Sequence, residues 1–232
     1  MATRGVVFDL FGTLVEGWGQ LAAARNGDEI ASLLGVPQAE FRALLARTYS
    51  ERASGQLGST PEMLRHLAGS LGFAPGEAVV QRAATRRVAQ FREVLREPRP
   101  GVSSLLAVLR DRRFRVGVIT DCSGETPALW PQLYWTAPIQ AAVFSWSEGV
   151  RKPDGRLYLK AAGELGLAPA ECLYVGDGGS AELSGASRAG MRACQLLAPR
   201  GDGDQLLQYD PDPSWSGPVV GSLCAILPLL RA

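Results

Sequence analysis

The chain has 232 residues, a net charge of +1, 46% hydrophobic residues and 20% charged residues. That length admits one large domain or a core with a smaller insert, and the near-neutral balance gives no global field for nucleic acid or an anionic membrane. No stretch is long and apolar enough to span a bilayer, and the four scattered cysteines form no CxxC pair, which argues against a cysteine metal site or a disulfide scaffold.

The N-terminus lacks the layout of a secretory leader, since the run Val6-Val7-Phe8 stops at an aspartate. The expectation is a reducing cytoplasm. His66 is the only histidine, so any mechanism needing two is excluded.

Val6–Phe8 reads as a buried strand that delivers Asp9 into the loop Leu10-Phe11-Gly12-Thr13. From about Glu16 to Glu97 no strand is legible. Helices are expected near 20–34, 38–53, 61–72 and 76–96, with Gly35-Val36-Pro37 and Gly72-Phe73-Ala74-Pro75 as stop-and-restart signals. Roughly eighty residues are too many for a plain loop. The expected organisation is an α/β core over 1–15 and 98–232, with a helical cap domain over 16–97.

Glu97-Pro98-Arg99-Pro100-Gly101 returns the chain to the core, and Ser103–Arg112 has helical leucine spacing. The strand Val116–Thr120 follows. Residues 126–140 are rich in prolines and aromatics, which predicts core packing by default and a homodimer contact as the alternative to a monomer. Strands are expected at Ala141–Phe144, Cys172–Val175 and Ala193–Leu197, with helices over Arg156–Leu165 and Ala181–Ala189 between them. This alternation predicts a Rossmann-like parallel sheet with helices on both faces. The tail after Pro199 is expected to cross the surface before a closing helix.

Open parallel sheets bind ligands at the carboxyl ends of their strands. Here the first strand ends at Asp9 and the second at Thr120-Asp121. The third is followed by Arg151-Lys152-Pro153, and the fourth runs into Gly176-Asp177 with Glu182 five residues beyond Asp177. Singly, each is a common turn or surface residue. In this order they resemble the haloacid dehalogenase-like superfamily of hydrolases, whose motifs are matched by FDLFGTL, VGVITDCS, RKPDGRLY and GDGGSAEL.

The resemblance implies a nucleophilic Asp9, which splits one displacement into two. It implies that Thr120 and Lys152 stabilise the transferring group, with Gly12, Thr13 and Asp121 beside the substrate. It also implies Mg²⁺ held by Asp9, Asp177, Glu182 and the backbone carbonyl of Phe11. The expected substrate is a small phosphorylated molecule, with no nucleic acid or membrane partner.

Phe11 departs from the family pattern. It stands where the phosphatase branch has the aspartate that protonates the leaving group and activates water, a role worth about 10²–10⁴ in rate. Three readings follow. A phosphatase could use a leaving group that departs unprotonated, or Glu51 or Glu62 as a stand-in acid. A metal-independent 2-haloacid dehalogenase would need no acid at all, though three site carboxylates against one lysine would repel its carboxylate substrate. A weakened site would leave a phosphometabolite-binding module. His66 and the helical arginines at 82, 86, 87, 92 and 96 read as surface residues, and Tyr158 as packing beside the site.

Overall fold

The computed structural model describes residues 2–197, 199, 205, 207–212 and 215–231. β1 (Gly5–Phe8) is followed by a run of helices: α1 (Gln20–Leu34), α2 (Gln38–Arg47), α3 (Tyr49–Ala53), α4 (Thr60–Ser70) and α5 (Glu77–Leu95). Then come α6 (Val102–Asp111), β2 (Arg115–Thr120), α7 (Glu125–Leu129), β3 (Ala141–Phe144), α8 (Ser145–Glu148) and α9 (Gly155–Glu164). β4 (Cys172–Gly176), α10 (Glu182–Arg188), β5 (Arg192–Leu196) and the two-residue β6 (Val219–Val220) complete a six-stranded sheet of order β3-β2-β1-β4-β5-β6. Every strand pairing is parallel.

Alternate residues of the central strands feed opposite layers, as strand geometry dictates. Val6 and Phe8 join Val116, Val118, Leu173 and Val175 in one buried cluster. Val7 joins Ile119, Cys172, Tyr174 and Leu157 in the other. Strands covered on both faces are apolar throughout, which is why their runs are legible in the sequence.

The helices between β1 and α6 have a core of their own. Ile30, Phe41, Leu64, Leu67, Val80 and Ala83 are all buried within it. α1 ends at Gly35, whose φ of 70° is the left-handed cap conformation that favours glycine. α4 starts with the Ser59–Glu62 capping box. That pairing occupies exposed Glu62 and removes it as a stand-in acid.

Three departures from the sequence reading stand out among the described residues. The expected helix 38–53 breaks at Thr48, whose hydroxyl bonds back to the Leu44 carbonyl at 2.7 Å. The closing helix, Leu223–Arg231, is a 3₁₀ helix carrying Pro228. The third is β6, two residues long and too short for a periodic signal.

In the aromatic segment Trp135 is buried and Trp130 packs edge-on against Trp135 and Phe144, so its default reading as core holds for these two rings. Among the described residues, no helix is long and apolar enough to cross a membrane.

Candidate active site

β1, β2 and β4 are adjacent in the sheet, so the residues that leave their carboxyl ends converge. Asp9 follows β1, and its N–H donates to the Val175 carbonyl at 2.9 Å, which fixes where its side chain begins. Lys152 is only 3% exposed. Its Nζ donates to Asp9 Oδ1 at 2.6 Å and to Glu182 Oε2 at 2.5 Å.

Glu182 is wholly buried and heavily engaged. Its Oε2 also accepts from the Tyr174 hydroxyl at 2.7 Å, and its Oε1 accepts from the Gly178 N–H at 2.9 Å. The Tyr158 hydroxyl donates to the Glu182 backbone carbonyl at 2.9 Å, which makes Tyr158 a support for the site. A Cβ on Gly176 would collide with Glu182 Oε1, so this glycine serves the close approach of the glutamate. Asp177 Oδ1 accepts from Gly179 N–H and Oδ2 from Gln208 Nε2, both at 2.9 Å.

Asp9, Asp177 and Glu182 each offer a carboxylate oxygen within 4.8 Å of the others. Three acids face one lysine in a buried space. Burial pushes the Asp9 carboxyl well up, with Lys152 opposing and Glu182 and Asp177 adding to the rise. Asp177 is pushed up to about 6, by burial first and Glu182 second. Burial alone would lower the Lys152 ammonium, but Asp9 and Glu182 outweigh it and hold it well above the usual lysine value. Asp9 Oδ2 is buried with no hydrogen-bond partner. This donor set of hard oxygens with excess negative charge fits a divalent cation.

The cluster opens into a cavity of about 300 Å³ whose walls come from both the sheet ends and the helical segment. Asp9, Phe11, Asp121, Lys152 and Asp177 line it from below. The Phe11 ring lies 6.4 Å from those of Trp18 and Phe91, which meet edge-on at 4.4 Å. Phe11 thus belongs to an aromatic wall and carries no proton to transfer.

The remaining expected site residues are distributed as follows. Gly12 has φ +85°, and its carbonyl accepts from Arg99 Nη1 at 3.0 Å. Thr13 is buried with a hydroxyl lacking a partner. Thr120 is fully buried, with its hydroxyl 3.4 Å from the Asp121 carbonyl. Asp121 Oδ1 accepts from the Lys152 N–H at 2.9 Å, and burial raises its carboxyl. Among the described residues, Asp121 lines the cavity while Gly12, Thr13 and Thr120 do not.

One arginine of the expected surface face is not at the surface. Arg87 on α5 is 6% exposed, and its Nε donates to Glu125 Oε1 at 2.6 Å. Ser123 donates to Glu125 Oε2 at 2.5 Å. This buried pair joins the helical segment to the start of α7. No sequence signal marks it, because its partners are 38 residues apart and each sits in an ordinary helical pattern. Arg52 was also missed and lines the cavity. Glu51 does not line it, and its Oε2 is buried without a partner.

An α/β sheet with acids and a lysine at its strand ends defines a class of hydrolase core. A family model of haloacid dehalogenase-like hydrolases matches residues 3–190, and the chain belongs to that family. Among curated relatives, it is 33% identical over 118 residues to a glyceraldehyde 3-phosphate phosphatase of Methanopyrus kandleri, covering 47% of this chain and 50% of that one. It is 30% identical over 109 residues to the protein of the same name from Pyrococcus abyssi, covering 46% and 43%. The chain thus spans about half the length of the curated relatives it matches. A solved 2-haloacid dehalogenase from Pseudomonas syringae pv. Tomato DC3000 shares the fold, with TM-score 0.67 and 24% identity over 98% of this chain and 97% of that one.

Proposed function

We propose that the protein is a Mg²⁺-dependent phosphatase acting on a small phosphorylated molecule through an aspartyl-phosphate on Asp9. The observation that carries this reading is the buried group Asp9, Lys152, Asp177 and Glu182, of which Asp9, Lys152 and Asp177 line a cavity. The phosphatase names of the two curated relatives support it.

Asp9 attacks phosphorus while Lys152 holds the nucleophile and neutralises charge on the transferring oxygens. Gly12, Thr13, Thr120 and Asp121 are the proposed supports of the phosphoryl side, and of these Asp121 lines the cavity. Asp177, Glu182, Asp9 and the Phe11 carbonyl are the proposed metal ligands. A bound divalent cation would supply Lewis-acid stabilisation of the phosphoryl oxygens. Residues 16–97 act as the cap that excludes water and selects substrate. The proposed setting is the cytoplasm, as a monomer or homodimer.

Phe11 favours substrates whose leaving group departs without a proton, such as acyl phosphates. The dehalogenase reading fits less well, because three buried acids against one lysine repel a carboxylate substrate unless a cation neutralises them.

The test is phosphate release from a panel of phosphoesters and acyl phosphates, with Mg²⁺ and with chelator, using Asp9→Asn as control. Metal-dependent release that disappears in Asp9→Asn is expected. Halide release from 2-haloacids without metal would overturn the proposal in favour of a dehalogenase. Silence from wild type with activity in Phe11→Asp would favour a binding module.

A further inference from the structure

Arg52, at the end of α3, is a buried cation in the cavity wall without a carboxylate of its own. It is 9% exposed, and among the described residues no acid lies within ion-pair distance of it. Its Nη2 donates to the Leu45 carbonyl at 2.7 Å, while its Nε is buried with no partner. Its guanidinium lies 5.9 Å from the centroid of the Tyr49 ring.

The neighbouring charges leave a surplus. Arg87 and Glu125 are buried ionic groups that act on Arg52 with opposite effects, and Glu125 is already engaged by Arg87 and Ser123. Among the described residues, two buried guanidiniums therefore share one carboxylate, which leaves one positive charge at the cavity wall uncompensated. A buried charge without a partner is costly, and a ligand anion is what relieves it. The floor of the same cavity is the phosphoryl side of the proposed reaction. Phe11, Trp18, Leu45 and Phe91 give the same cavity apolar lining.

We propose that Arg52 docks a second anionic group of the substrate, so that the substrate class is a phosphorylated organic acid: phosphoryl group at Asp9, apolar linker, and a carboxylate or second phosphate at Arg52. This rests on the phosphatase reading of the same site. Arg52 touches the part of the substrate that does not react, so it sets specificity.

The test uses ligands that cannot turn over, because a carbon–phosphorus bond resists hydrolysis. Binding of ω-carboxyalkylphosphonates and of the matching alkylphosphonates, with chains of about two to six carbons, is measured by calorimetry on the wild-type chain with Mg²⁺. Phosphate release from acetyl phosphate is followed in parallel.

At one chain length or more, the carboxylate series is expected to bind about tenfold tighter or better, as a charged hydrogen bond to a buried guanidinium implies. Arg52→Gln should abolish that preference and Arg52→Lys should retain part of it. Equal binding of the two series at every length by wild type overturns the assignment, and needs no variant to fold. A preference that survives in Arg52→Gln overturns it too. Binding of neither series also overturns it. Acetyl phosphate release decides the phosphatase reading separately in each case.

Discussion

Lys152 Nζ stands between Asp9 Oδ1 at 2.6 Å and Glu182 Oε2 at 2.5 Å, with all three side chains buried. The lysine is the only cation within hydrogen-bond reach of this acidic group among the described residues. It therefore holds the cluster together before any metal or substrate arrives.

Replacing that lysine should be felt in stability as well as chemistry. Lys152→Met leaves buried carboxylates unpaired, at a cost of about 3–5 kcal/mol near neutral pH. Denaturant unfolding should show the loss, and lowering the pH should return part of it as the carboxyls protonate. Phosphate release should fall by about a hundredfold or more. A variant as stable as wild type would show that the cluster is not held in this way.

The cluster also predicts how metal and pH act together. Asp177 titrates near 6 in the folded metal-free chain, against 3.8 for an ordinary aspartate, because of burial and then Glu182. Near pH 5 the folded state therefore binds more protons than the unfolded state, and this group makes stability rise as pH falls from about 6 towards 4. A divalent cation competes with those protons. The Mg²⁺-induced rise in thermal midpoint should be full above pH 7 and shrink as pH falls through 6. A rise that is constant from pH 5 to 8 would count against Asp177 as a ligand.

Phe11→Asp places a carboxyl where the family's phosphatases have one. Hydrolysis of alkyl phosphates, which need a protonated leaving group, should rise by up to about 10²–10⁴. Acyl phosphates should gain much less. The substitution also removes the ring that meets Trp18 and Phe91, so a lower melting temperature is expected beside the higher rate. Equal gains on both substrate types would mean that proton transfer is not what Phe11 lacks.

Arg87 and Glu125 form the buried link between the helical segment and the core. Their variants should not be equivalent. Glu125→Gln removes the anion that acts on both Arg87 and Arg52, whereas Arg87→Met leaves Glu125 to act on Arg52. Each should cost about 3–5 kcal/mol, with Glu125→Gln the larger loss. Replacing both residues by apolar groups should cost less than either single change. Urea unfolding of the two single variants and the double variant checks the order.

Much of the fold was legible because its signals are local. Apolar runs mark strands covered on both faces, and leucine and alanine spacing marks the helices within a few residues. The break at Thr48 was not legible, since a hydroxyl that bonds back to a carbonyl four residues earlier can equally sit inside a helix. Asp9, Lys152, Asp177 and Glu182 could be named because each follows a strand and their order matches a known pattern. Tyr174 could not, because inside a buried strand a catalytic support and a core aromatic read alike. Arg87 lay on a face that looked solvated, and only the packing of α7 against α5 places Glu125 beside it.

The sequence by itself determined the parallel sheet, the helical insert, the family and the four residues at the strand ends, because periodicity and motif order are properties of the chain. Only the tertiary structure decided which charges are buried, which are paired and which are left over. Burial and pairing depend on residues far apart in the chain. Glu182 closes on Lys152 across 30 residues and Arg87 on Glu125 across 38, while Arg52 is left in the cavity wall with no acid among the described residues at ion-pair distance.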